Sequence, residues 1–457
     1  MSNVDRRGFL RLATLAVGSY VAGASTASPS SPRSRIRGPA HDVLRKVHLT
    51  AAEGEVEVAP GLVYRTWLYN GQFPGPLIRA SEGERLQVTL DNALPDDTTV
   101  HWHGVPVANP MDGVPGITQD PVRPGTAFLY DFLAQPAGSF MYHSHVGLQL
   151  DRGLVGALIV EERTPHVPYD RDYVVVLDDF LPTAPTLPAG GGMMGGMAAP
   201  PYAGLLLNGK LPRAAPEFAV RRGERARFRF LNPSGATTFR VAIAGHRMSV
   251  THTDGRPVEP VTVDSLIIGM GERYDVVVAA DNPGAWTLMA ASVEGSLAPA
   301  QAIVRYLDSA QTSPPAGQIP EGLVGGALLS LAELHAVEPL LPYTAQPNRQ
   351  FDLVLSGGMM SRSWTINGQA YPDANPLEVR AGERIRVRLA NQSMAIHPMH
   401  LHGHFFQVGS VWKDTVVVPP MGSTSFDFVA DNPGDWFFHC HNAYHMEMGM
   451  ARVVSYV

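Results

Sequence analysis

Only one cysteine occurs in the 457 residues, and its neighbours suggest what it does. It lies in His439-Cys440-His441-Asn442-Ala443-Tyr444-His445-Met446-Glu447-Met448-Gly449-Met450. A thiolate, imidazoles and a weak thioether are the donors of a blue electron-transfer copper. On a strand, Cys440 has the opposite parity to His439 and His441, so its sulfur points to the other face. There His397, His445 and Met450 can join it, giving a Cys-His-His site with a long axial Met. The plainer alternative is a buried, inert thiol. Two imidazoles flanking the cysteine suggest a second metal centre one residue away.

His-x-His pairs stand at His101/His103, His143/His145, His400/His402 and His439/His441. On a strand both rings of such a pair point to one face. Neutral imidazole suits copper, zinc or iron. One pair alone is weak, because surface pairs arise by chance.

The elements that must position these residues form a threefold repeat. Asn70-Gly71, Asn208-Gly209 and Asn367-Gly368 each open a stretch that runs on to Gly-Glu-Arg and a strand. In the third copy, Val379, Ile385, Val387 and Leu389 should face a core and Arg384, Arg386 and Arg388 water, a period of two. Each copy ends with a strand, a Pro/Gly turn and an aromatic-rich strand, as in a Greek key. With 45 Gly and 39 Pro, the composition favours short strands over long helices. The reading is all-β: three Greek-key β-sandwich or barrel domains at 41–163, 164–308 and 346–457, with 309–345 a linker carrying a short helical patch near Leu328–His335. The first and third copies keep two His-x-His pairs each. In the second the slots fall at Met289/Ala291 and at Ala242/Ala244. An eight-histidine metal site is therefore expected between the first and third domains.

These four motifs resemble the signature of the three-domain multicopper oxidases, which include laccases, cuprous oxidases and bilirubin oxidases. The resemblance runs from about residue 45 to 457 and implies cupredoxin-like domains. It also implies four copper ions. Cys440, His397, His445 and Met450 would hold type 1, and His101 and His400 type 2. His103, His143 and His441 would hold one type 3 copper, and His145, His402 and His439 the other. The implied reaction takes single electrons from a reducing substrate at type 1 and reduces O2 to water at the trinuclear site. Asp112 stands at the offset where bacterial relatives place an acid beside that site, which makes it a proton-relay candidate; a plain Asp112-Gly113 turn is the alternative. Relatives often carry a second acid directly after the type 1 histidine. Met446 holds that position here, and Glu447, one further on, is the second relay candidate. His246 and His404 read as structural.

The stretch after the third motif is short, running from Gln407 almost directly to Trp412-Lys413-Asp414-Thr415, and predicts an open type 1 mouth for bulky phenols or metal complexes. Met193, Met194 and Met197 in a Gly-rich loop, and Met359 and Met360, are candidate Cu(I) ligands or plain gap-fillers. Cuprous oxidases place an acid and a Met before the type 1 histidine; here those slots hold Ser393 and Ala395, with Met394 between them. The expected substrates are phenols and aromatic amines, with oxidation of Cu(I) or other metal ions in copper tolerance as the alternative. A copper-free cell-envelope scaffold of the same fold is a third reading.

Net charge is −7 without a basic block, which argues against nucleic acid as a partner. Asp5-Arg6-Arg7-Gly8-Phe9-Leu10-Arg11 and the apolar run after it read as a twin-arginine export signal over 1–27, followed by a disordered arm at 28–40. Its removal would take away three Arg and one Asp and leave a charge of −9. A periplasmic, extracellular or cell-envelope location follows, by way of the twin-arginine translocase, with no integral membrane segment and a monomer as the expected state.

Overall fold

The computed structural model describes residues 43–187, 200–295, 297–342, 346–358 and 363–457. The stretches read as an export signal and a disordered arm, and Met193, Met194, Met197, Met359 and Met360, lie outside the described residues. Strands dominate. Among the described residues, single turns of 3-10 helix and one short α-helix, Ala443–Glu447, interrupt them. No helix among the described residues is long and apolar enough to cross a membrane.

The strands form pairs of sheets, one pair per repeat. In the first repeat, the order Leu62–Tyr69, Leu44–Ala59, Arg85–Asn92, Ala127–Leu133 packs against Ile78–Ser81, Val155–Glu161, Gly138–His143. The second has sheets of six and five strands around Phe228, Phe230, Phe239 and Met248. In the third, the sheet ordered Leu377–Val379, Ala451–Tyr456, Asp435–Cys440, His397–Leu401, Thr415–Val418 carries the chemistry. It packs through Met399, Trp436 and Phe438 on a six-stranded partner that supplies Leu389 and Phe406. Each large side chain so buried contributes about 1.5–3 kcal/mol. These are the three cupredoxin-like units that the repeats predicted.

The repeated motifs have repeated physical roles. Asn70, Asn208 and Asn367 take φ of 53°, 50° and 52°, and the glycine after each is also left-handed, at 66°, 71° and 70°. Two left-handed residues make the tight hairpin turn that Asn-Gly favours. Each Asn side chain also accepts a backbone N–H, from Thr50, Val176 and Val354, at 2.6, 2.7 and 2.6 Å. The Gly-Glu-Arg glutamates each take an arginine from the adjacent parallel strand: Arg45 with Glu84 (2.8 Å), Arg171 with Glu224 (2.9 Å) and Arg349 with Glu383 (3.0 Å). His246 and His404, both outside the metal clusters, each meet a tyrosine hydroxyl at 2.7 Å, those of Tyr306 and Tyr456.

One expectation fails here. Ile385, Val387 and Leu389 are buried and Arg388 is exposed, but Arg384 is buried and Arg386 half-buried. Arg384 donates to Asp427 at 2.9 Å and to the carbonyl of Pro342. Alternation tells which face an arginine takes, but the 309–345 segment covers that face. This segment also packs on the second domain, where Leu334 is fully buried in the core.

Candidate metal centre

The strand His397–Leu401 pairs antiparallel with Asp435–Cys440, setting Met399 opposite Cys440 and His400 opposite His439. Parity then sorts the donors. His397 and Cys440 share one face of the sheet. The third donor comes from the helix Ala443–Glu447, which starts because the Asn442 side chain accepts the N–H groups of Tyr444 and His445, each at 3.1 Å. Such a cap stabilises a helix start by about 1 kcal/mol, and here it turns His445 back onto Cys440. The three donor atoms form a triangle: Cys440 Sγ to His397 Nδ1 3.6 Å, Cys440 Sγ to His445 Nδ1 3.7 Å, and the two Nδ1 atoms 3.1 Å apart. An ion equidistant from those three atoms lies about 2 Å from each, the range of metal–nitrogen and metal–sulfur bonds. Met450 is fully buried in the same core, and its carbonyl accepts the Cys440 N–H at 3.0 Å. Burial raises the pKa of the Cys440 thiol and lowers that of His397 to about 3.

On the opposite face the other histidines converge. His101 and His143 bridge through their backbones, at 2.8 and 3.1 Å. His402 Nε2 lies 3.0 Å from His439 Nε2, and His145 Nε2 lies 3.4 Å from it. The rings of His103 and His400 stack at 3.8 Å, as do those of His101 and His402. All eight side chains are buried. His101 Nε2, His103 Nδ1, His143 Nε2, His400 Nε2 and both nitrogens of His441 have no hydrogen-bond partner. Leaving a buried polar atom unpaired costs about 1–3 kcal/mol, so this concentration of bare nitrogens calls for a ligand. Burial pushes the pKa of His145, His402, His439 and His441 well below the usual value, helped by neighbouring rings, and so keeps them neutral. Neutral imidazole is the form that binds a metal.

On five of these histidines the other ring nitrogen, Nδ1, is tied down. His101 Nδ1 donates to the Asp112 carbonyl at 2.9 Å and His400 Nδ1 to the Asp414 carbonyl at 2.8 Å. His143 donates to the Ser144 carbonyl (2.9 Å) and His439 to the Cys440 carbonyl (3.0 Å). His402 Nδ1 donates to Asp112 Oδ2 at 2.9 Å, and Asp112 Oδ1 is 3.2 Å from His101 Nδ1. Partners of this kind fix tautomer and ring orientation. Gly113 makes the Asp112 turn possible: its φ is +85°, and a Cβ there would lie 1.9 Å from the Val100 carbonyl oxygen.

Asp112 thus reaches the cluster. Glu447 ends the short helix with an exposed side chain. The open mouth is not found. His397 is fully buried and His445 half-buried, because the Trp364 ring covers both, at 5.1 and 4.0 Å between centroids. Sequence reasoning overlooked Trp364, Asn442 and the role of Asp414. Asp414 had a usable signal, since each His-x-His that opens a cluster is followed by an aspartate, 11 residues after His101 and 14 after His400.

Comparison with known proteins agrees with this architecture. Multicopper oxidase family models match residues 50–165, 171–309 and 344–457. Multicopper oxidase MmcO of Mycobacterium tuberculosis is 39% identical over 432 residues, 87% of this chain and 84% of the relative. Copper resistance protein A of Escherichia coli is 28% identical over 98% of both chains. The structure of Fet3p, a multicopper oxidase that functions in iron import, superposes with a TM-score of 0.80 over 90% of each chain at 22% identity, which shows a shared fold. With a mononuclear donor triangle joined through one residue on each side to a cluster of neutral histidines, and with these matches spanning the three repeats, the chain belongs to the multicopper oxidase family: it is a copper-dependent oxidoreductase that uses oxygen and a reducing substrate.

Proposed function

We propose a laccase-like oxidase with four copper ions. His397, Cys440, His445 and Met450 hold the type 1 ion, and His101 and His400 the type 2 ion. His103, His143 and His441 hold one type 3 ion, and His145, His402 and His439 the other. Bound copper supplies single-electron acceptance from the reducing substrate and four-electron reduction of O2 to water. The observation that carries this reading is the Cys440 triangle, whose backbone neighbours His439 and His441 belong to the eight-histidine cluster.

The protein's own groups orient, shield and move protons. Asp112 holds one proton-bearing nitrogen each of His101 and His402 through its carbonyl and carboxylate, and is the relay for protons consumed at oxygen. Glu447, exposed at its helix end, is the second relay candidate, serving proton traffic from the surface. Trp364 roofs the donor triangle and leaves His445 as its partly exposed member, so an aromatic substrate delivers its electron over that edge.

Phenols and aromatic amines are the substrates we favour. His397 Nε2 meets the Ser393 hydroxyl at 2.8 Å, and no acid stands there to hold a metal substrate. The name of the Escherichia coli relative, Copper resistance protein A, favours Cu(I) as the second reading. We further propose export by the twin-arginine route as a monomer to the periplasm or cell exterior. Steady-state rates under air on dimethoxyphenol and on Cu(I), with and without residues 190–197, test the substrate. Phenol oxidation should survive the deletion. Loss of the Cu(I) rate alone would turn the reading to a metal oxidase. A colourless, copper-replete preparation would defeat the type 1 assignment itself.

A further inference from the structure

The second domain supplies none of the twelve proposed ligands, yet it reaches the cluster. Arg273 is fully buried. Its guanidinium donates in a fork to Asp414, Nη1 to Oδ1 at 2.7 Å and Nη2 to Oδ2 at 2.6 Å. The remaining bonds run from Nε to the Ser139 carbonyl of the first domain (3.1 Å) and from Nη1 to the Gly271 carbonyl (3.0 Å). All three domains therefore meet on one side chain. Asp414 in turn lies behind two of the ligand rings. Its Oδ1 is 3.2 Å from His103 Nε2 and 3.5 Å from His400 Nδ1, and it accepts the Thr415 hydroxyl at 2.9 Å. The His103 and His400 rings are parallel within 14°, and their opposite nitrogens are among the unpaired ones. Asp254, also of the second domain, holds the same segment by accepting the N–H of Thr415 at 3.2 Å and pairing with Lys413 at 3.1 Å. Gly271 lets the backbone close over the site: with φ +84°, a Cβ there would stand 2.9 Å from the His441 ring and 3.2 Å from the His103 ring.

We propose that Arg273 is a positioning residue for the trinuclear site. Its fork fixes Asp414, whose carboxylate faces His103 Nε2 and whose backbone carbonyl holds His400 Nδ1, so the domain without ligands governs how firmly type 2 copper is held. Without the guanidinium, Asp414 is a buried, unpaired charge and no longer holds the two rings in register. This rests on the copper assignment above, and a wild-type protein lacking the type 1 blue colour would fail that assignment rather than this one.

The test compares Arg273→Gln and Arg273→Lys with Arg227→Gln in the full chain. Arg227 is a control of equal burial: it pairs with Asp275 at 2.6 Å and Glu162 at 2.7 Å and touches no proposed ligand. Copper per chain, the type 2 electron paramagnetic resonance signal and the blue absorption are measured before and after dialysis against a chelator. Arg273→Gln should keep the blue colour while type 2 copper is lost at about 10- to 100-fold lower chelator concentration, the usual effect of removing a residue behind a metal ligand. Its KM for O2 should rise while its KM for the reducing substrate stays put. Arg227→Gln should lower the unfolding temperature and leave every copper signal unchanged. Lysine cannot form the fork, so Arg273→Lys should fall between, and it carries the test if the glutamine variant does not fold. Wild-type retention of type 2 copper in Arg273→Lys, or equal copper loss in Arg273→Gln and Arg227→Gln, would overturn the proposal.

Discussion

Ser144 and Cys440 occupy the same place in two copies of one fold, each between two histidines that face the cluster. The correspondence extends to the surrounding slots. Thr98 precedes His101 by the offset at which His397 precedes His400, and Gln149 and Leu154 follow Ser144 as His445 and Met450 follow Cys440. Even the backbone tie repeats, with Ser144 N–H to the Leu154 carbonyl and Cys440 N–H to the Met450 carbonyl both at 3.0 Å. In the first domain the three side chains satisfy one another: Thr98 and Ser144 each donate to Gln149 Oε1 at 2.7 Å. In the third, a thiol and two imidazoles at similar spacing form the donor triangle. In the second, Phe239 and Ala290 fill the matching positions with hydrocarbon. Above the slot, Arg152 lies 3.9 Å over Trp67 where the His445 ring lies 4.0 Å from Trp364. The fold brings three side chains together in any case, and their chemistry decides whether they complete themselves or require an ion.

Cys440→Ser attacks this contrast most directly. It gives the third domain the hydroxyl of the first; the blue absorption should vanish and turnover fall roughly a thousandfold or more, as when one member of a catalytic unit is removed. Retained colour would mean that the thiolate is not the ligand. Asp112→Asn probes the carboxylate that the first domain sends into the shared cluster. Oxygen reduction should slow about 10- to 100-fold while rapid reduction of the blue centre under anaerobic conditions is unchanged; equal slowing of both would remove Asp112 from the relay. Gln149→Leu takes the common acceptor from Thr98 and Ser144. Chemical denaturation should show a loss of about 1–3 kcal/mol with full copper content, and any copper loss would contradict a self-contained polar triad. Ser144→Cys should do least. A thiol without imidazole partners at positions 98 and 149 should add neither colour nor copper, and a second blue band would break the argument that all three donors are needed.

Much of the fold was readable because its signals are local. Asn-Gly demands a left-handed pair, Gly-Glu-Arg opens on a left-handed glycine (φ 89°, 87° and 83° in the three copies), and alternation names the buried residues Ile385, Val387 and Leu389. The donor sets were readable for the same reason, since strand parity sends Cys440 and its neighbours to opposite faces. What went unread depends on packing between distant segments. Alternation assigned Arg384 a face but could not show that Pro342 covers it. The brevity of the stretch after the third motif suggested an open mouth, but Trp364 arrives from a separate segment, just before the strand Thr365–Ile366 of the other sheet. Glu447 was counted by its offset from His445, and the Asn442 cap starts a helix that turns it outward.

The donor types, their sorting onto two faces and the repeats that carry them are already written in the residues, because they follow from side-chain chemistry and the two-residue period of a strand. Tertiary packing had to show that the second domain closes the site through Arg273 and Gly271, and that Asp112 and Asp414 stand behind the ligand rings. Contacts between residues 141 or 290 positions apart are set by how sheets pack and domains dock. No local period encodes that.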